Sequence, residues 1–134
     1  MSLQLKRNSL DLGVVTANEP AALAFYCATL GLEVVASIPF PGLGVVKKLR
    51  CGDSFIKLLV LEKAPAHVVA RGGFTAATGY RYCSLSVQNL EALIAKCRAD
   101  GHPIVVDIRE IRPGVKVALV EDPDGNTLEF MQED

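Results

Sequence analysis

The stretch "TANEPAALAFYCATLG" (Thr16–Gly31) has a counterpart later in the chain, "SVQNLEALIAKCRADG" (Ser86–Gly101). Each carries an Asn placed to cap a helix, Asn18 or Asn89, and each closes on a Gly suited to ending one. Pro20 fits the first turn of the first helix. Ala21, Leu23, Ala24, Cys27 and Leu30 recur at roughly helical spacing in one stretch, as do Leu90, Leu93, Ile94 and Cys97 in the other. Laying Asn18 on Asn89 predicts a match without gaps.

The surroundings repeat as well. A strand-like segment precedes each helix: "SLDLGVVT" (Ser9–Thr16) and "YRYCSLSV" (Tyr80–Val87). Three follow each helix. After the first come "LEVVASI" (Leu32–Ile38), "GVVKKLRC" (Gly44–Cys51) and "SFIKLLVLE" (Ser54–Glu62). After the second come "HPIVVDIREI" (His102–Ile111), "GVKVALVE" (Gly114–Glu121) and "NTLEFMQ" (Asn126–Gln132). Gly52-Asp53, Pro113-Gly114 and Asp124-Gly125 supply turns. The chain therefore reads as one α+β domain, 1–134, built from two βαβββ modules at about 8–62 and 80–132. Each helix covers one face of its sheet. The opposite faces curl toward a shared cleft, forming a curved mixed sheet. Between the modules, 63–79 is rich in Gly, Thr and Pro, and "ARGGFTAATGY" (Ala70–Tyr80) reads as a linker or a lid over the cleft.

Composition excludes several classes of function. Half of the 134 residues are hydrophobic and the net charge is −1, with Lys and Arg scattered. No basic surface suited to nucleic acid is expected, and no apolar run is long enough to span a membrane. The first residues lack the basic-then-apolar order of a secretory signal, so a cytoplasmic protein is expected. Cys27, Cys51, Cys83 and Cys97 form no metal-binding or redox spacing and read as small apolar residues in a reducing compartment. His67 and His102 read as loop residues. Lys47, Lys48 and Arg50 read as charges protecting a sheet edge, with an anionic substrate for Arg50 as the lesser option. "PFPGLG" (Pro39–Gly44) lacks the Lys-Ser/Thr ending of a phosphate loop and reads as a turn.

Side chains alternate along a strand. Leu10, Leu12 and Val14 form one apolar parity, as do Ile56, Leu58 and Val60, then Cys83, Leu85 and Val87, then Leu128 and Phe130. These faces belong under the helices. The other parities carry Asp11, Lys57, Tyr82 and Glu129, one ionisable group from each of four strands. Gly13, Val15, Phe55, Leu59 and Met131 share those faces, which gives the mixed composition of a ligand cleft. Solvated polar faces are the plain alternative.

"AFYCATLGLEVV" (Ala24–Val35), "SVQNLEALIAKCRADGHPI" (Ser86–Ile104) and above all "EDPDGNTLEF" (Glu121–Phe130) resemble the vicinal oxygen chelate superfamily over most of the chain. That group includes glyoxalase I, extradiol dioxygenases, methylmalonyl-CoA epimerase, and bleomycin and fosfomycin resistance proteins. The resemblance implies paired βαβββ modules, a homodimer, and metal ligands, usually His, Gln or Glu, in the first and last strands of each module. Those positions correspond to Asp11, Lys57, Tyr82 and Glu129, of which only Glu129 has the usual ligand type. An ammonium has no lone pair to offer and repels a divalent cation.

Two expectations follow for the site. In the first, Lys57 replaces the metal, lying between Asp11 and Glu129, with the Tyr82 hydroxyl bonded to one of them and no cofactor. In the second, the Lys57 register is off by one, and Glu129 and Asp11 hold Zn, Mg, Mn, Fe or Ni. Three functions follow. One is a glyoxalase-like lyase or isomerase acting on a small carbonyl, thioester or aromatic metabolite. Glu129 or Asp11 would be its base, Lys57 and Tyr82 would stabilise the oxyanion, and Lys57 could alternatively form a Schiff base. Another is a non-catalytic small-molecule or antibiotic-binding protein. The third is a purely structural charge cluster. Dioxygenase activity is disfavoured, since neither His67 nor His102 maps to a ligand position.

Overall fold

The structure, a computed structural model, describes residues 2–134. Strand β1 (Leu12–Thr16) leads into helix α1 (Glu19–Leu23), which continues as a π-helical turn over Ala24–Thr29. Strands β2 (Glu33–Phe40), β3 (Gly44–Cys51) and β4 (Ser54–Leu61) complete the first module. After the connecting loop and its short 3-10 turn (Gly73–Thr75), β5 (Tyr82–Ser86), α2 (Leu90–Ala99), β6 (Ile104–Arg112), β7 (Val115–Glu121) and β8 (Thr127–Glu133) form the second. The sheet orders are β1-β4-β3-β2 and β5-β8-β7-β6. In each sheet the first strand pairs in parallel with the last, and the other pairings are antiparallel.

Most of the helix-side positions pool into one core shared by both modules; Leu10, expected on that face, precedes β1 and is exposed. Phe25, Leu58, Leu90, Ile94, Leu128 and Phe130 are all essentially inaccessible to solvent. Burying such a side chain contributes about 1.5–3 kcal/mol each. Polar bonds also join the modules. The Thr29 hydroxyl donates to Asp100 Oδ2 at 2.7 Å. The Tyr26 hydroxyl donates to Asp122 Oδ2 at 2.6 Å. Among the described residues, no helix is long and apolar enough to cross a membrane.

The ungapped match on the capping asparagines holds only for the start of the helices. Asn18 and Asn89 both occupy N-cap positions, 71 residues apart. The terminating glycines, Gly31 (φ 81°) and Gly101 (φ 82°), are 70 apart. The first helix therefore contains one residue more than the second, and the π-turn absorbs it, as such insertions commonly do. The wider turn leaves the adjacent Phe25 and Tyr26 both buried. The caps differ too. Asn18 Oδ1 accepts from the Ala21 N–H at 3.2 Å, whereas the Asn89 side chain makes no cap bond. Gln132 Oε1, from β8, accepts the Leu90 N–H at 2.8 Å instead.

The β3 lysines are not on an edge. β3 lies between β2 and β4, and β2 is the outer strand. Lys47 pairs with Glu19 at 3.5 Å, while Lys48 stands opposite Lys57 on the face away from the helices.

Candidate functional site in the cleft

The strand registers set the cleft face. Gly13 pairs with Lys57 and Val15 with Leu59, while Ser84 pairs with Glu129 and Ser86 with Met131. Their neighbours Val14, Leu58, Leu128 and Phe130 are buried in the core. Lys57 therefore lies on the cleft face, in the register read from alternation.

The quartet separates into two halves. In the first module, Asp11 Oδ1 accepts the Phe55 N–H at 2.9 Å, and Oδ2 receives Arg7 at 3.1 Å. Lys57 Nζ stands 3.6 Å from the same Oδ2. The Phe55 amide, followed by the charges of Arg7 and Lys57, outweighs desolvation and holds the Asp11 carboxyl below its ordinary value. Asp11 is thus a fixed counter-ion and a weak base. In the second module, Glu129 Oε1 accepts from the Ser84 hydroxyl at 2.7 Å. Tyr82 is half-exposed, its ring tilted against Phe74 with 4.3 Å between centroids. Among the described residues, no ion pair joins Lys57 to Glu129, and no hydrogen bond joins Tyr82 to either carboxylate.

Four residues about the cleft, Arg7, Lys48, Arg71 and Ser84, were not singled out from sequence as site residues. The Lys48 ammonium lies 4.1 Å from the Phe55 ring centroid, and the Arg7 guanidinium 5.4 Å from it. Arg7 and Lys57 are the two cations paired with Asp11, while Lys48 stands over the neighbouring Phe55 ring. Ser84 orients Glu129, a role its spacing from Tyr82 did not announce. Arg71 pins the connecting loop to the second module through Glu121 Oε1 at 3.0 Å and the Pro123 carbonyl at 3.1 Å. The loop thus lies over the second half of the cleft, with Phe74 on Tyr82. Its earlier part, including Pro65 and Val68, lines one side of an open pocket of about 400 Å³, opposite Val15 and Asp124. The four cysteines are free thiols whose pKa values burial pushes up, which leaves them protonated and poor nucleophiles. His102 packs edge-on against Phe25 and contacts Thr29, on the helix side.

The profile of the Glyoxalase/Bleomycin resistance protein/Dioxygenase superfamily matches residues 10–130. The chain belongs to that superfamily. Among solved structures, a glyoxalase family protein from Bacillus cereus is similar at 15% identity and a TM-score of 0.81, with 99% of each chain covered. The trypanothione-dependent glyoxalase I of Leishmania major is 21% identical, with a TM-score of 0.72, covering 96% of this chain and 88% of that one. The antibiotic binding protein TnmS3 from Streptomyces is 19% identical, with a TM-score of 0.67, covering 100% and 99%. At these identities the likeness establishes the fold alone. Comparison with curated proteins found no match.

Members of the superfamily often hold a divalent metal at the four cleft positions. The residues here do not fit one. Asp11 already takes an amide, a guanidinium and an ammonium, and the ammonium belongs to another of the four positions. Among the described residues, no group of three or more His, Cys, Asp or Glu side chains converges to hold a metal ion. The condition attached to the metal alternative, a misplaced Lys57, is not met.

Proposed function

We propose that the cleft binds a small carbonyl, thioester or aromatic metabolite and moves a proton on it, in the manner of a glyoxalase-like lyase or isomerase. The observation that carries this reading is the placement of Lys57. Asp11 holds its ammonium on the cleft face, beside the β1 position where Gly13 leaves space open. A fixed ammonium is suited to stabilise the oxyanion of an enediolate. Glu129, oriented by Ser84, is the group assigned as general base. The Tyr82 hydroxyl is the second oxyanion donor. Asp11 is a positioning residue, because its lowered pKa unsuits it to take a proton.

The test is solvent exchange. The protein is incubated in D₂O with hemithioacetals and acyl thioesters, and loss of the proton next to the carbonyl is followed by NMR. Exchange above the buffer rate that disappears in Glu129→Gln supports the assignment. Exchange that survives both Glu129→Gln and Lys57→Met would discard it. Borohydride trapping with the same carbonyl compounds tests the Schiff-base route, which predicts an adduct absent from Lys57→Met.

A binding role without chemistry is the second reading, and the pairing of Phe74 with Tyr82 favours it. Together the two rings form an aromatic wall for a flat ligand. Thermal-shift screening with aromatic antibiotics, and no exchange for any carbonyl compound, would select it.

A further inference from the structure

Strands β1 and β5 are the inner edges of the two sheets, and a cavity of about 90 Å³ lies between them. That is several times the space one water requires. Its lining is mostly apolar or aromatic, including Leu12, Val14, Tyr26 and Leu128, and Gly13 leaves it unfilled. Among the described residues, two buried side-chain polar atoms have no hydrogen-bond partner, Thr127 Oγ1 and Arg81 Nε, and both residues line this cavity. Thr127 is only 4% exposed. Arg81 is the one charged residue of the lining, and none of the described ion pairs includes it. Its Nη2 donates to the Gly73 carbonyl at 2.6 Å, which fixes the guanidinium but does not neutralise it.

Buried polar atoms are nearly always paired, so two orphans beside one cavity point to a missing partner. The partner must accept from a guanidinium N–H and a hydroxyl, and it must carry negative charge. The neighbouring acids are already engaged: Asp122 by Tyr26, Asn126 and the Asp124 amide, and Glu121 by Arg71. We propose that the seam between β1 and β5 binds a short-chain monocarboxylate. Its two oxygens take Arg81 Nε and Thr127 Oγ1, and its carbon end lies against the apolar lining. Phosphate fits less well, because a dianion with two further oxygens would meet too few donors. The seam deepens the reading of the cleft, with which it shares Tyr82, by naming a carboxylate as part of the ligand.

The test is a ¹H–¹⁵N titration of the full chain with acetate, propionate and butyrate, using propionamide and inorganic phosphate as controls. Saturable shifts at Arg81–Cys83 and Asn126–Leu128 are expected with the carboxylates. Thr127→Val, which keeps the side-chain shape, and Arg81→Gln should each weaken binding roughly tenfold. Lys57→Met and Glu129→Gln should leave it within about twofold, since neither residue lines the seam. No saturable carboxylate shifts, equal binding of propionamide or phosphate, or full affinity in Thr127→Val would each overturn the proposal. If Arg81→Gln fails to fold, Thr127→Val decides alone. The proton-exchange assay reads Glu129 and Lys57 separately, so loss of the seam site and loss of the cleft chemistry are distinguishable.

Discussion

The Tyr26 hydroxyl and the Asp122 carboxylate meet at 2.6 Å across the two modules, and both side chains are 1% exposed. Asp122 also takes the Asp124 N–H, the Asn126 N–H and Asn126 Nδ2, so it is a buried anion with every lone pair engaged. Removing the phenol leaves that anion with one donor fewer. Tyr26→Phe is expected to cost about 1.5–3 kcal/mol, the usual range for a hydrogen bond to a charged group. Urea denaturation should show a lower midpoint at unchanged slope. A change below about 0.5 kcal/mol would mean that the bond contributes little to holding the modules together.

The same pair predicts alkaline sensitivity. Burial first, then the Asp122 charge, raises the Tyr26 pKa well above 10.0. A group whose pKa rises on folding stabilises the fold fully below its unfolded value and loses that contribution as pH climbs toward the folded value. Stability should therefore fall above about pH 10, and Tyr26→Phe should remove that part of the decline. Parallel alkaline unfolding curves for the two proteins would contradict it.

Asp11 gives the opposite sign. Its pKa is lowered from 3.8, chiefly by the Phe55 amide and then by Arg7 and Lys57. Its contribution is present above the unfolded value and fades as pH falls through the folded one. At neutral pH it stays charged and holds Lys57 in place. Asp11→Asn keeps the acceptor for Phe55 but removes the charge that holds the Lys57 ammonium in place. Under the proposed chemistry, kcat for proton exchange should fall roughly tenfold with little change in KM. An unchanged kcat would assign Asp11 a purely structural role.

Much of this was legible in the sequence, for identifiable reasons. Alternation put Lys57, Tyr82 and Glu129 opposite apolar parities, and a slip of one residue would expose Leu58 or Phe130; Asp11 precedes β1 and reaches Lys57 through its bond to the Phe55 amide rather than by strand parity. Alternation specifies a face and says nothing of distance across it. The pairing of Glu129 with Ser84, and of Lys57 with Asp11, depends on which strands are hydrogen-bonded neighbours. The π-turn was hidden because one inserted residue leaves the apolar spacing of Ala21, Leu23 and Cys27 nearly intact. Lys48 was misread as an edge charge because strand order within a module cannot be read from β3 itself. Arg71 and Arg81 lie in or beside a Gly-rich loop with no periodicity, so pattern gave no hold on them.

Arg71 makes the loop testable. Its guanidinium is the ion-pair partner of Glu121, which is 7% exposed, and it packs against Gly125. Arg71→Ala strands a buried carboxylate and unlatches the loop. A stability loss of about 1–3 kcal/mol is expected, with faster amide exchange across 64–76 and little change in α2. Uniform acceleration throughout the chain would instead indicate global destabilisation.

Thr127 separates the cost of an orphaned hydroxyl from its use. Among the described residues Thr127 Oγ1 is buried without a partner, and such a group costs about 1–3 kcal/mol. Valine replaces it at nearly the same shape on a strand where β-branched residues fit well. Thr127→Val should therefore raise stability in carboxylate-free buffer, by up to about 1 kcal/mol once the smaller transfer terms are counted. Adding propionate should stabilise the parent protein and leave Thr127→Val unmoved, so the difference between the two narrows or reverses. Calorimetric unfolding with and without the acid reads both effects. A variant less stable than the parent under both conditions would show that the hydroxyl has a structural partner rather than a ligand.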